Sequence, residues 1–307
     1  MGVFDNIGEG ILSTTKKVVE KANEKLEKMQ KEQEKKKESE SNKSDKQENE
    51  KTGEKNKKGI KEMFTDKLDV NGDGKVDLKD FVLMAVKVPG VNINRREFLK
   101  KELGKKNDDK KVAKALETNP KMAKIDSAII EYIVDDVIED ERKKVVAISA
   151  ALGVSGAVAV TLPTDIAQYF GFMLRTAQKL MYLYGYPELN VNENMDDDTT
   201  NVLAIALGTM LGVQGADAAL RNVSKGIIAS ISAGLKVSSK GVPQFVGSLV
   251  GVGFGKLGLG VVGLSLPIIG GVISGGLTHI TFTNGCENLR KELRNGPLND
   301  EESYKEN

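Results

Sequence analysis

DVNGDGKVDLKD, residues Asp69–Asp80, breaks into a front half dominated by lysine and glutamate with a regular alternation of carboxylates, one carboxamide and two glycines. The spacing is that of a loop built to surround a cation. Side-chain oxygens recur at the first, third and fifth positions, Asp69, Asn71 and Asp73. Gly74 stands sixth, where the chain must turn sharply without a Cβ in the way. Lys75 stands seventh, where only a backbone carbonyl is needed, and Val76 is an apolar eighth residue that packs inward. Asp77 at the ninth position can ligate directly or through water, and Asp80 closes the loop at the twelfth. Calcium takes about six to eight oxygens in a flexible shell, which such a loop can supply. Asp69, Asn71, Asp73, Lys75, Asp77 and Asp80 are therefore the predicted metal ligands, with Ca2+ the expected ion and Mg2+ its competitor.

On these residues the segment resembles an EF-hand. The flanks agree, because Phe64 and Leu68 before the loop and Leu78, Phe81 and Met84 after it can clamp two helices together. Two departures stand out. The closing ligand is Asp rather than the usual Glu, and a shorter arm holds calcium through one oxygen, which narrows the advantage over magnesium. The loop is also single, and the acidic stretch NMDDDTTN, residues 194–201, lacks the glycine and the spacing of a partner. DVNGDGKVDLKDF equally resembles one half of a dockerin, which closes with Asp but needs a second copy that this chain lacks. The competing structural reading is a metal-free acidic turn. Asp80→Glu is expected to tighten calcium and raise its preference over magnesium; weaker binding would mark the loop as the dockerin-like kind.

Upstream, the chain is highly charged. Leu12, Val19, Ala22, Leu26 and Met29 keep a helical spacing that predicts a short amphipathic helix, fraying when alone. From residue 30 to 58 lysine and glutamate take over, and no aromatic occurs between Phe4 and Phe64. Such a segment buries too little apolar surface to offset its ordering entropy, so a disordered spacer is expected. The N-terminus has no basic region followed by an apolar run, which argues against a signal peptide. Asn6 replaces the Ser or Thr that myristoylation requires.

Downstream, Ile60, Met63, Phe64 and Leu68 predict the helix entering the loop, FVLMAVKV the helix leaving it, and Pro89-Gly90 its end. Asn94 caps a further predicted helix, RREFLKKELGKK, followed by helical patterns in KKVAKALE and KIDSAIIEYIVDDVIEDE. From Val145 the composition turns apolar and glycine-rich. LPTDIAQYFGFMLRTAQKLMYLYGYPEL, then an acidic loop, then the apolar TNVLAIALGTMLGVQGADAAL, resemble the EcsC family of bacterial proteins, as does the later LPIIGGVISGGLTHITF. The resemblance spans roughly residues 94–294. It implies a helical domain that acts near the membrane, with no settled activity and no catalytic residues to carry over; the EF-hand is an added module.

The glycines admit two readings. Ala147-Ala151-Ser155-Ala159, Ala204-Gly208-Gly212 and Gly247-Gly251-Gly255 each repeat every four residues, a smooth helical stripe on which a second backbone can lie. Such stripes occur in membrane helices and in tight soluble bundles. Val145–Thr164 reaches the roughly twenty apolar residues that span a bilayer. Against spanning, Asp165, Arg175, Lys179, Asp217 and Lys256 interrupt or border the candidate segments, and buried membrane charges are costly. The leading expectation is a soluble or peripherally attached bundle; the alternative is an integral membrane protein whose EF-hand is regulatory or incidental.

Composition excludes several chemistries. The net charge of +1 offers no global field toward nucleic acid, and none is expected as a partner. One cysteine, Cys286, precludes an internal disulfide and fits a reducing, cytoplasmic compartment. One histidine, His279, leaves little for zinc sites or catalytic triads. Asp217 and Arg221 are spaced to pair along a helix, Arg175 calls for an acidic partner, and Tyr182, Tyr184 and Tyr186 are placed at the wet edge of the core or in an interfacial belt. With no sustained alternation of period two, the fold class is all-α and no enzymatic activity is expected. The expected organisation is a charged tail at 1–58, the EF-hand at 59–90, a helical connector at 91–140, the apolar helical domain at 141–295 and a flexible end at 296–307. The expected partners are calcium and a membrane surface or membrane protein.

Overall fold

The computed structural model describes residues 68–74, 76–153, 162–232 and 275–304, the side chains of 148–153, 162–166 and 275–279 excepted. All lie within one compact unit, Met63–Asn307. Among them are eight α-helices and no strand: α1 Leu78–Ala85, α2 Arg95–Leu103, α3 Asp109–Glu117, α4 Ser127–Gly153, α5 Leu162–Leu183, α6 Asp197–Met210, α7 Ala216–Ser232 and α8 Gly275–Arg294. The all-α class holds for this part of the chain. The N-terminal tail with its predicted amphipathic helix, the helix at 60–67, the stripe Gly247-Gly251-Gly255 and most of the apolar run from Leu257 fall outside the described residues.

Short polar residues start the helices. Asp77, Asn94, Asp108 and Asp196 are the N-caps of α1, α2, α3 and α6, and each carboxyl or amide oxygen accepts a backbone N–H of the first turn. Glycine in the left-handed conformation ends two of them. After α5, Gly185 takes φ +102°, with Tyr186 N–H donating to the Met181 carbonyl and Gly185 N–H to that of Tyr182. After α6, Gly212 takes φ +69°, with Val213 N–H on the Gly208 carbonyl and Gly212 N–H on that of Thr209. This paired closure satisfies the last carbonyls of the helix. It also corrects the stripe reading, because Gly212 terminates α6 instead of lying along it, and LGVQG is the turn into α7.

Helix α6 is the centre of the bundle. Every residue from Thr199 to Met210 is buried, and α1, α5, α7 and α8 pack around it. The loop's exit helix belongs to this core. Phe81 of α1 stacks on Phe170 of α5 with ring centroids 4.6 Å apart, and Tyr169 meets Phe170 edge-on. Leu78 lies over Gly208 of α6, where an added Cβ would come within 3.2 Å of its methyl and 3.1 Å of the Ala216 Cβ. Helix α4 runs unbroken across 140–141, the boundary expected between the connector and the apolar domain, and across Val145, where the composition changes. Charge leaves this helix without ending it, because its later turns continue the same backbone hydrogen bonding.

Buried polar groups tie the layers together. The Arg95 guanidinium is buried and donates to the carbonyls of Ala115, Leu116 and Thr118 at the end of α3, and to Tyr186 beyond α5. One side chain thus caps α3 and pins it to α2. Tyr182, Tyr184 and Tyr186 are all buried, at neither a wet edge nor a membrane belt. Each hydroxyl has a partner inside: Tyr182 accepts from Leu189 N–H, Tyr184 donates to Glu131, and Tyr186 meets Ser224. Among the described residues no helix is long and apolar enough to cross a membrane.

Candidate metal centre

The loop from Asp69 to Asp80 is held by its own carboxylates. Asp69 gathers three backbone donors: Gly72 N–H at 2.8 Å and Asp73 N–H at 3.2 Å on Oδ1, and Gly74 N–H at 2.8 Å on Oδ2. Asn71 Oδ1 accepts from Asp73 N–H at 2.9 Å, and its amide donates to Asp73 Oδ2. These bonds curl the chain so tightly that both glycines take left-handed backbone, φ +71° at Gly72 and +80° at Gly74. A residue with a Cβ is strained there, which is why the sixth position is glycine.

Asp80 plays a different part from the one its position implies. Its side chain is fully buried. Oδ1 accepts from Val70 N–H at 2.8 Å and Asn71 N–H at 3.2 Å, and Oδ2 accepts from Asp77 N–H at 2.8 Å. Asp77 in turn caps α1 by accepting Lys79 N–H at 2.7 Å. The result is a capping box whose acidic member also reaches back to the start of the loop. Asp80 therefore joins both ends of the loop to α1, and α1 is embedded in the core.

The field here is negative. Burial, together with the charges of Asp80 and Asp73, pushes the Asp77 carboxyl above its ordinary value against the lowering pull of the Lys79 N–H. The carboxylates of Asp69, Asp77 and Asp80 turn onto backbone donors, and that of Asp73 onto the Asn71 amide. Among the described residues no three His, Cys, Asp or Glu side chains are grouped to hold a metal ion. Lys75, whose carbonyl is the predicted seventh-position donor, lies outside the described residues.

The donor chemistry still fits a hard cation. An ionised carboxylate offers about four lone-pair positions; Asp69 and Asp80 each use three on N–H groups. Asn71 and Asp77 keep carbonyl and carboxylate oxygens beside them. The residues fit an oxygen-seeking divalent ion, with Asp80 as the closing residue and not as a two-oxygen ligand.

Several other polar residues weighed from the sequence enter ion pairs or the core. Arg175 finds its acidic partner in Glu141, whose carboxylate is 0 % exposed and is also bonded by Lys179 at 2.8 Å and Lys144 at 3.0 Å. Burial pushes the Glu141 carboxyl up, but the Lys179, Arg175 and Lys144 bonds outweigh it and hold the group below its ordinary value. Asp217 and Arg221 pair at 2.7 Å as spaced. Cys286 is buried, and burial pushes its thiol far above the thiolate range. The side chain of His279 lies outside the described residues. Sequence reasoning passed over Arg95 and Glu141. The first of two arginines directly after the Asn94 cap, and an acid followed by Lys144 one turn later, were the faint signals available.

The site thus belongs to a helical protein that carries an acidic, glycine-turned loop on a core helix. Comparison with protein-family models, curated proteins and solved structures finds no match to this chain.

Proposed function

We propose that Asp69–Asp80 is a calcium-binding loop of EF-hand type and that the helical body behind it is a non-enzymatic, EcsC-like module, cytoplasmic and associated with a membrane or a partner. The EcsC likeness rests on the sequence phrases alone. The observation that carries the calcium reading is the curl of the loop around Asp69. Three successive N–H groups converge on one carboxylate and two glycines stand in left-handed backbone, so the oxygens of Asp69, Asn71 and Asp73 follow one another round a tight turn. Asp69, Asn71, Asp73, the Lys75 carbonyl, Asp77 and Asp80 would hold the ion.

Calcium supplies positive charge that offsets the mutual repulsion of these carboxylates. Asp80 holds the loop onto α1, and Phe81 and Leu78 carry α1 onto α5 and α6. A change in the loop is therefore felt in the packing of the bundle. Magnesium is the competing ion, because the short arm of Asp80 cannot supply the two-oxygen grip that favours calcium.

Isothermal titration tests the assignment. One calcium site per chain is expected, in the micromolar-to-millimolar range of sensor and weaker loops, and Asp69→Ala should abolish it. Binding unchanged in Asp69→Ala, or none in the wild type up to millimolar calcium, would end the calcium reading.

A further inference from the structure

We propose that the α2–α3 hairpin is a docking surface for a bilayer containing anionic phospholipid. The proposal deepens the membrane-associated reading above and is independent of the calcium site. Residues 95–124 hold eleven lysines and arginines against five acids, a net +6 inside a chain of net +1. Lys101 and Lys105 pair with Glu102, Lys121 pairs with Glu301 and Arg95 is buried; the other basic side chains carry the patch. Arg96, Lys100, Lys110, Lys111, Lys114 and Lys124 are all exposed, and none has an acidic partner among the ion pairs of the described residues. Arg96 and Lys100 lie one turn apart on α2, and Lys110 and Lys114 one turn apart on α3, so each helix shows a basic stripe to solvent.

The hairpin is built as a rigid outwork. Helix α3 packs chiefly on α2, and the buried Arg95 fastens the end of α3 to α2 and to the turn after α5. Its lysines are therefore held in place and face outward.

An aromatic borders the patch. Tyr132 of α4 is 51 % exposed, and the Lys106 ammonium sits 4.8 Å from its ring centroid. Tyrosine is favoured at membrane–water interfaces, where its ring lies at headgroup level. Here a polybasic surface and an exposed ring lie together. Nucleic acid is the poorer match. The hairpin's own aromatic, Phe98, is buried, and Tyr132 alone stands beside it, so no row of rings is offered for stacking successive bases.

The test is vesicle co-sedimentation of the full chain with EDTA and again with calcium. Phosphatidylcholine vesicles are compared with vesicles containing about one-third phosphatidylglycerol. Each lysine near an anionic surface contributes about fivefold in partitioning, so the quadruple variant Lys100→Gln, Lys110→Gln, Lys111→Gln, Lys114→Gln should lose several hundredfold. All four positions are exposed, and an unchanged circular dichroism melt will show that the variant folds. Expected are binding to the anionic vesicles only, loss in about 1 M salt, where the screening length falls to about 3 Å, loss in the quadruple variant, and a smaller loss in Tyr132→Ala. No binding to anionic vesicles, equal binding by the quadruple variant, or a variant whose sole defect is loss of RNA or DNA binding would each overturn the proposal. A calcium titration on the same preparations reports separately on the loop.

Discussion

Replacing Asp80 by asparagine separates two roles that its position in the loop confounds. As a metal ligand alone, Asp80 matters only when metal is present. As the buried acceptor of Val70, Asn71 and Asp77 N–H, it supports the fold without any ion. Asparagine keeps the shape but has one acceptor oxygen and an NH2 group. If that oxygen serves Val70 and Asn71, the NH2 group faces the Asp77 N–H, donor against donor. If it serves Asp77, two donors go unmet. At the least one charge-assisted bond is lost, about 1.5–3 kcal/mol, with a further ~1–3 kcal/mol for a donor left unsatisfied in the interior. The expected loss is about 3 kcal/mol, a large fraction of the roughly 5–15 kcal/mol that stabilises a domain. Urea unfolding followed by circular dichroism at pH 7 in EDTA measures it. Asp80→Glu is the companion variant. It keeps the charge and remains a suitable capping-box residue, but it forces a methylene into a fully buried position, at about 1–3 kcal/mol. It should also weaken calcium, in place of the tightening expected from the sequence, because the Asp80 side chain is fully buried on three backbone donors that a longer arm would displace. An Asp80→Asn chain within 0.5 kcal/mol of wild type in EDTA, differing only when calcium is added, would refute the reasoning.

Two further outcomes follow from the core. Glu141→Gln leaves Arg175 and Lys179 without their shared charge and should cost about 3 kcal/mol, in line with removing one partner of a buried pair. Because the folded carboxyl lies below its ordinary 4.5, its contribution is fully present above that pH and fades as pH falls through the lowered value; urea midpoints between pH 3 and 7 should converge for the two proteins at the acid end. Phe81→Ala removes the ring stacked on Phe170 and should cost about 3–5 kcal/mol. It should also lower calcium affinity, and titration of a variant that still folds but binds calcium as the wild type does would uncouple loop from core.

Much of the local structure was readable from residue order. Asn94 capping α2 and Pro89-Gly90 following the end of α1 are decided by side chains within a few residues of the backbone groups they satisfy. The same holds for the loop, where Asp69 reaches only as far as Gly74, so residue type and spacing were enough to place its turn. What the spacing left open is where each polar group ends up. Tyr184 is buried because Glu131 comes to meet it across 53 positions of sequence, and Arg95 because its carbonyl acceptors arrive from as far as Tyr186. Gly212 continues a four-residue repeat on paper and ends a helix in fact, since the return of α7 over Gly208 requires a turn there. Asp80 is the sharpest case. Its type and position follow from the sequence, but its burial comes from the packing of α1 among α5 and α6. A charged group leaves water only where the folded chain supplies all of its hydrogen bonds at once, and only the tertiary structure brings those donors together.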